Sequence, residues 1–226
     1  MSRPLIRAIL GYELGQVDPL IYLDSDKLDS HARQTSKRSR SETNHQVWMN
    51  TYDKVLSRAS KNKGYAMLDF VQHHKKNYGN QLPIWVAVEI MDWGMLRSLY
   101  TMSPMYVQSR ISERCNLEPP QLSSWLGALN HVRNFADHHA RMYNRNYSFR
   151  PKLPNDPRLT PSTMRLDMNR AFGQFTLIQY MLKTLCLSPA IQIPRVFETY
   201  PDNPIIPIER TGAPENWRDH PLWVHD

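Results

Sequence analysis

The chain has 226 residues, with 28 Lys and Arg against 21 Asp and Glu, a formal net charge of +7. That length suits one compact domain with or without a tail. The charge excess points to an anionic partner, nucleic acid first, although solubility alone accounts for charge of this size. No apolar run approaches the roughly 18 residues of a membrane helix. Arg7 interrupts the short apolar stretch near the N-terminus, so no signal peptide is expected. Two cysteines, Cys115 and Cys186, argue against a disulfide scaffold and suit reduced thiols in a cytoplasmic protein. Eight glycines include no phosphate-cradling loop.

In chain order, the polar stretch at 34–43 (QTSKRSRSET) breaks the early pattern and reads as a loop or a solvated helix start. A weaker helix is expected over Asn44–Ser60 and a stronger one over Tyr65–Tyr78, with Met67, Leu68 and Val71 at helical spacing. Pro83–Tyr100 starts on a proline, which a first helical turn tolerates, and carries the stripe Ile84, Val88, Met91, Met95, Leu99. Gln121–Asn144 follows Pro119–Pro120. Pro161–Leu187 has Thr160 as its expected N-cap and a stripe from Met164 to Leu185. No segment shows strand alternation with hairpin-spaced turns. Eleven of the 17 prolines lie after residue 150. The expected fold is therefore all-α: a helical bundle over 1–187 and a Pro-rich extended strap over 188–226, packed back through Phe197, Tyr200, Ile205, Ile206, Trp217 and Trp223.

On a helical wheel of Gln121–Asn144, the residues Trp125, Leu129, Val132, Ala136 and Tyr143 form the apolar stripe, with His139 at its edge. Asn134, His138 and Arg141 share the opposite face at i, i+4, i+7, and Arg133, Asp137 and Asn144 lie beside them. Such a cluster suits phosphate chemistry. Histidine takes and gives a proton near neutral pH, and arginine offers a planar fork to phosphate oxygens. It is also what any solvated helix face looks like, with Arg133 and Asp137 as a surface ion pair and His139 as a packed core residue. Asp137 is placed to favour the charged form of His138.

The string Arg133-Asn134-Phe-Ala-Asp-His138 resembles the Arg–polar–x3–His signature of the HEPN ribonucleases. Pro83, Ile84, Trp85 and Glu89, followed by Arg133, Asn134, His138, His139, Arg141, Asn144 and Arg145, resemble the wider pattern of the abortive-infection (Abi-like, AbiD/AbiF-type) proteins of bacterial phage defence. Arg40/His45 and Arg218/His225 also satisfy the bare spacing but lack an amphipathic helix. Two departures stand out: Asp137 replaces a small apolar residue, and the chain starts late, with 1–16 reading as the end of a longer helical segment.

The resemblance implies a HEPN-like bundle that cuts RNA without a metal. The 2′-OH attacks its own phosphate and leaves a 2′,3′-cyclic phosphate and a 5′-OH. His138 is then general base or acid, Arg133 the phosphate stabiliser and Asn134 the orienting residue, supported by His139, Asp137, Arg141 and Asn144. Arg133 and His138 are about 140° apart around one helix, so a composite site across a homodimer axis is expected. Arg145, Arg150 and Lys152, with Tyr143 and Tyr147 interleaved, read as RNA-binding: cations for phosphates and rings for bases. Arg158 and Phe149 extend that run. Glu89 needs a partner, with Arg97 or Arg133 the candidates. No metal or other cofactor is expected, because His73, His74, His131, His138 and His139 lack ligand spacing. The expected partners are RNA substrate, a structured RNA antitoxin and a second copy of the chain. A catalytically inactive RNA-binding scaffold, or a plain protein-interaction bundle, would use the same fold.

Overall fold

The computed structural model describes residues 2–61, 69–79, 81–160, 164–187 and 190–224. Among them the chain is all-α, with ten α-helices and no strand. It divides into two compact units, residues 1–111 and 112–226.

In the first unit, α1 (Ser2–Gly15) lies on α5 (Ile84–Ile90). Ile6, Leu10 and Leu14 form its buried stripe. The approach is close because Gly11 and Gly15 face Trp85: a Cβ on Gly11 would come within 3.2 Å of the Trp85 Cα, and one on Gly15 within 3.0 Å of its ring. The remaining helices of this unit are α2 (Ser30–Arg33), α3 (Asn44–Lys61), α4 (Asp69–Tyr78), α6 (Trp93–Met102) and α7 (Met105–Arg114). Tyr22 donates to the Leu82 carbonyl (2.6 Å) and accepts from the Tyr52 hydroxyl (3.0 Å), and Tyr52 stacks on Trp48. Burial pushes the Tyr52 hydroxyl up to about 12, so this network stays protonated.

The expected helix over Pro83–Tyr100 is two helices. Met91 is extended, and Asp92 caps α6 by accepting from the Met95 amide at 2.8 Å. An aspartate at an N-cap offers the backbone a partner that a continuous helix would not. Arg7 pins the break through the Met91 carbonyl (2.7 Å) and pairs with Glu89 at 3.4 Å. Arg7, rather than Arg97 or Arg133, is thus the partner of Glu89, a half-exposed residue and not one on an apolar face. The polar stretch at 34–43 is a tied loop. A bridge joins Thr35 to Thr43, and Ser36 N–H donates to the Glu42 carbonyl (2.9 Å). His45, five residues after Arg40, is buried, with Nε2 donating to the Tyr22 carbonyl at 2.9 Å. Of the helix expected over Tyr65–Tyr78, residues 65–68 lie outside the described residues, and the rest is helical.

In the second unit, α8 (Pro119–Asp137) packs on α9 (Ala171–Thr184). Glu118 and Gln121 form a reciprocal capping box, with Pro119 at the first helical position. Helix α9 begins later than expected. Residues 161–163 lie outside the described residues, and Asp167 holds a turn by accepting from the Asn169 amide (2.9 Å) and from Arg170 N–H at its carbonyl (3.1 Å). Thr160 is not its cap: its amide and hydroxyl both donate to the Asp156 carbonyl. Gly173 allows α9 to start against that turn, because a Cβ there would overlap the Asp167 carbonyl.

The Pro-rich segment is in part helical rather than extended throughout. It carries α10 (Gln192–Glu198) and two 3₁₀ turns, Ile208–Thr211 and Trp217–Asp219. Pro194 fits in the first turn of α10, where no intrahelical N–H is needed. Trp223 stacks on Phe172 with ring centroids 4.2 Å apart, donates Nε1–H to Thr176 Oγ1 (3.1 Å), and meets Phe197 and Trp217 edge-on. Lys183 Nζ donates to the Pro221 and Val224 carbonyls. Ile205 is exposed and Ile206 half-buried.

Candidate functional site

The site is built on the last turn of α8. Leu122, Trp125, Leu126, Leu129 and Val132 are buried and fix the helix in the unit's core. Polarity changes at Arg133. Arg133 and Asn134 are half-exposed, and Asp137, His138 and His139 are exposed.

The helix ends at Asp137, seven residues before the expected end at Asn144. His138 is the C-cap, and its N–H donates to the Asn134 carbonyl at 3.1 Å. His139 adopts φ 49°, its N–H donates to the Ala136 carbonyl (3.1 Å), and Ala140 N–H donates to the Phe135 carbonyl (2.8 Å). This pair of bonds is the Schellman closure, with histidine in the left-handed position that glycine usually takes. His139 is therefore an exposed end-cap residue, not a core histidine. Arg141 and Asn144 have left the helix, so the shared face with Arg141 at i+7 does not exist. Asn134 and His138 remain one turn apart.

Arg133 is held by two neighbours. One Nη donates to Asn134 Oδ1 at 3.2 Å, and the other lies 2.5 Å from Asp137 Oδ2. The side chains of Arg133 and Asp137 are 37% and 46% exposed, so solvent screens the pair and its net contribution to stability is small, about 0.3–0.5 kcal/mol. What it does is orient: the guanidinium is drawn to the same exposed turn that carries His138.

After the cap, the chain runs back along α8. Phe135 meets Tyr147 edge-on, Lys152 N–H donates to Ser124 Oγ (2.7 Å), and Trp125 Nε1 donates to the Lys152 carbonyl (2.8 Å). This return segment strings Arg145, Arg150 and Lys152 beside the helix. Arg145 lies over the Phe135 ring, 3.7 Å from its centroid, and donates to the Arg141 carbonyl. Arg150 donates to Asn169 Oδ1, and Arg170 to Asn144 Oδ1. Asn144 has φ 48°.

Three expected RNA contacts are occupied otherwise. Tyr147 is 2% exposed and packs with Val132 and Ala171, so it is a core ring under the segment and offers no face to a base. Tyr143 donates to the Pro207 carbonyl (3.3 Å). Arg158 is bound at 2.7 Å to Asp156, whose carboxyl it holds down to about 2. Loops have no periodicity from which such burial could be read.

His131, Phe135 and Gln174 were not selected from sequence. With Arg145, Tyr147 and Phe149 they line a cavity of about 160 Å³ beside α8. A glutamine on the buried face of α9 was the available signal. Among the described residues, no three His, Cys, Asp or Glu side chains come together as a metal site, and no helix is long and apolar enough to cross a membrane. Burial pushes the Cys115 thiol up to about 11, and Cys186 is exposed. His225, the partner of Arg218 in the bare spacing, lies outside the described residues.

The sequence model of the Abi-like protein family covers residues 5–144, more than half of the chain and the whole of the turn Arg133–His138. The chain belongs to the Abi-like protein family. No curated protein and no solved structure matches it.

Proposed function

We propose that this protein is an abortive-infection factor that acts as a metal-independent HEPN-type endoribonuclease in bacterial phage defence. The observation that carries the reading is the exposed turn Arg133–His138, in which Asn134 and Asp137 orient Arg133 beside a solvent-accessible imidazole. In the proposed reaction His138 takes the proton of a ribose 2′-OH, and the oxygen attacks the adjacent phosphorus. The 5′-oxygen leaves with a proton, giving a 2′,3′-cyclic phosphate and a 5′-OH. Arg133 stabilises charge building on the phosphate oxygens, and Asn134 holds the guanidinium in plane. Dependence on the 2′-OH restricts cleavage to RNA.

One helix end presents one arginine, Arg133, paired with Asp137, beside the exposed His138. A C2 dimer that brings two such ends together would supply both a base and an acid to one phosphate. Arg145, Arg150 and Lys152 on the return segment provide the non-specific hold on the strand. An RNA antitoxin fits the same basic surface and the net charge of +7.

The test is incubation of labelled RNA and its 2′-deoxy counterpart in EDTA with the wild-type chain and His138→Ala. Cutting of RNA by wild type alone, with cyclic phosphate ends, supports the reading. Cutting by a strict monomer removes the dimer, and retained binding without cutting by either protein removes the nuclease. The second reading, a non-catalytic RNA-binding scaffold, is favoured by the Arg133–Asp137 pair, which occupies the fork that a phosphate would need.

A further inference from the structure

The loop at 34–43 lies in the first unit and takes no part in the chemistry proposed at His138. Its backbone is tied throughout. Asn44 N–H donates to the Gln34 carbonyl (2.9 Å), Ser36 N–H to the Glu42 carbonyl (2.9 Å), Ser39 N–H to the Ser36 carbonyl (3.3 Å), and Arg38 N–H to Ser36 Oγ (3.2 Å). Asn44 Nδ2 adds a bond to the His31 carbonyl at 3.0 Å. This closed loop carries Lys37, Arg38 and Arg40, all exposed. Its one carboxylate, Glu42, accepts from Asn50 Nδ2 at 2.6 Å. In the same unit Arg7, Lys27, Arg33 and Arg110 each reach a carboxylate. Among the described residues, no carboxylate lies within ion-pair distance of Lys37, Arg38 or Arg40. Burial, and then the charge of Arg38, hold the pKa of the Arg97 guanidinium down. Like charges gathered on a fixed loop repel one another, and an anion placed among them relieves the repulsion.

Lys37 and Arg38 line a groove of about 530 Å³ that the loop forms with α3 and α6. Thr51 of α3 and Ser98 and Thr101 of α6 line it with hydroxyls. Ser98 is exposed, and Thr51 and Thr101 are half-buried. The Thr51 and Thr101 hydroxyls donate to the Val47 and Ser98 carbonyls (3.1 and 2.9 Å), which leaves their oxygens able to accept. The one carboxylate on the lining, Asp92, caps α6 through the Met95 amide. The Trp48 indole is 4% exposed, with its N–H on the Met95 carbonyl (3.0 Å), so it offers no face to a base. Single strands are held by stacking on open rings as well as by cations. Cations and hydroxyls without an open indole or phenyl ring suit a ligand whose bases are turned inward. Double-stranded RNA is held in that way, through its phosphates and 2′-hydroxyls. We propose that this groove docks the sugar–phosphate backbone of base-paired RNA, with Lys37 and Arg38 on phosphates and Thr51, Ser98 and Thr101 on ribose 2′-hydroxyls. The inference rests on the RNA-binding part of the function proposed above and not on the chemistry at His138. It adds a second surface and a second form of RNA.

The probes are a labelled RNA duplex of about 16 base pairs, the DNA duplex of the same sequence and the single RNA strand. Each is bound in EDTA to the full chain carrying His138→Ala. The RNA duplex should bind more tightly than the DNA duplex. Lys37→Gln with Arg38→Gln should weaken the RNA duplex by about tenfold and reduce the slope of log affinity against log salt by about 2. Ser98→Glu sets a negative charge on the α6 side of the same groove and should weaken the duplex without touching the loop. All three positions are exposed, so thermal midpoints should stay within about 2 °C of the parent's. Lys54→Gln with Arg58→Gln removes the same charge from exposed positions of α3 that do not line the groove, and should leave binding nearly unchanged. An equal loss in that control overturns the groove, and so does duplex binding that survives the loop and Ser98 variants. A DNA duplex bound as tightly as RNA overturns the ribose contacts, and a parallel loss of single-strand binding overturns the base-paired ligand. Displacement by inorganic phosphate or by polyglutamate at constant ionic strength assigns the groove to a small or a peptide anion and overturns it. Cleavage of single-stranded RNA by the unsubstituted chain without duplex binding sinks the groove and spares the nuclease; duplex binding through Lys37 and Arg38 without cleavage does the reverse.

Discussion

Arg133 and Asp137 form an ion pair at 2.5 Å across one turn of α8, and His138 is the next residue. The pair sets the resting position of the arginine on which the proposed chemistry depends. Asp137→Asn removes the competing carboxylate and releases the fork for a phosphate. Cleavage of RNA in EDTA should rise several-fold, while the thermal midpoint falls by no more than about 2 °C, as loss of a screened surface pair predicts. A fall in cleavage would instead assign Asp137 a direct part in the reaction.

His139 sits at φ 49°, where a side chain with a Cβ costs roughly 1–2 kcal/mol relative to glycine. His139→Gly should therefore raise the unfolding free energy by up to about 1 kcal/mol, less what glycine adds to the freedom of the unfolded chain. His139→Val should lower it, because a β-branched residue resists this conformation most. Chemical denaturation of the two variants measures both. If activity survives His139→Gly, the residue serves the helix end and not catalysis.

His220 is fully buried, with Nδ1 accepting from the Leu222 amide at 3.1 Å, and burial pushes its pKa down to about 4 from 6.5, with Lys183 adding to the effect. The folded state thus binds this proton less well than the unfolded state. The contribution is complete above about pH 6.5 and is lost as the pH falls toward 4, on the order of 3 kcal/mol in all. His220→Asn keeps an acceptor but does not titrate, so its stability curve should be flatter than wild type between pH 6.5 and 4. Parallel curves would show that other groups govern acid unfolding.

Gly173 has no room for a methyl group, since a Cβ would overlap the Asp167 carbonyl. Gly173→Ala should destabilise the chain by about 1–3 kcal/mol, despite alanine's better helix propensity, because the 167–170 turn must move. Urea unfolding would report the loss as a lower midpoint with an unchanged slope.

The parts of the fold that follow from periodicity were readable. Helix α3, the body of α8 and most of α9 have stripes that the core then buries. What was not readable is where helices stop. Residues 138–142 contain no glycine, proline or asparagine, so nothing in them announces a left-handed cap, and the wheel ran on to Asn144. Asp92 did announce a cap, but the apolar stripe on both sides of it suggested continuity. At the candidate site, Arg133, Asn134 and His138 come from the resemblance to the family pattern, because the bare Arg-to-His spacing also occurs at Arg40/His45 and Arg218/His225. The burial of Tyr147 and the capture of Arg158 by Asp156 depend on where a loop returns, which no local pattern encodes.

Helix α8 is a beam fixed along most of its length and free at its tip. Trp125 is 13 residues before His138, about 20 Å along the axis. The position of the imidazole is therefore set by packing at the far end as much as by its own neighbours. If the proposed nuclease arrests growth, survivors of a growth-inhibition screen with substitutions at Trp125 and at His138 would look alike. Only the amount of folded protein recovered would separate those that loosened the beam from those that blunted its tip.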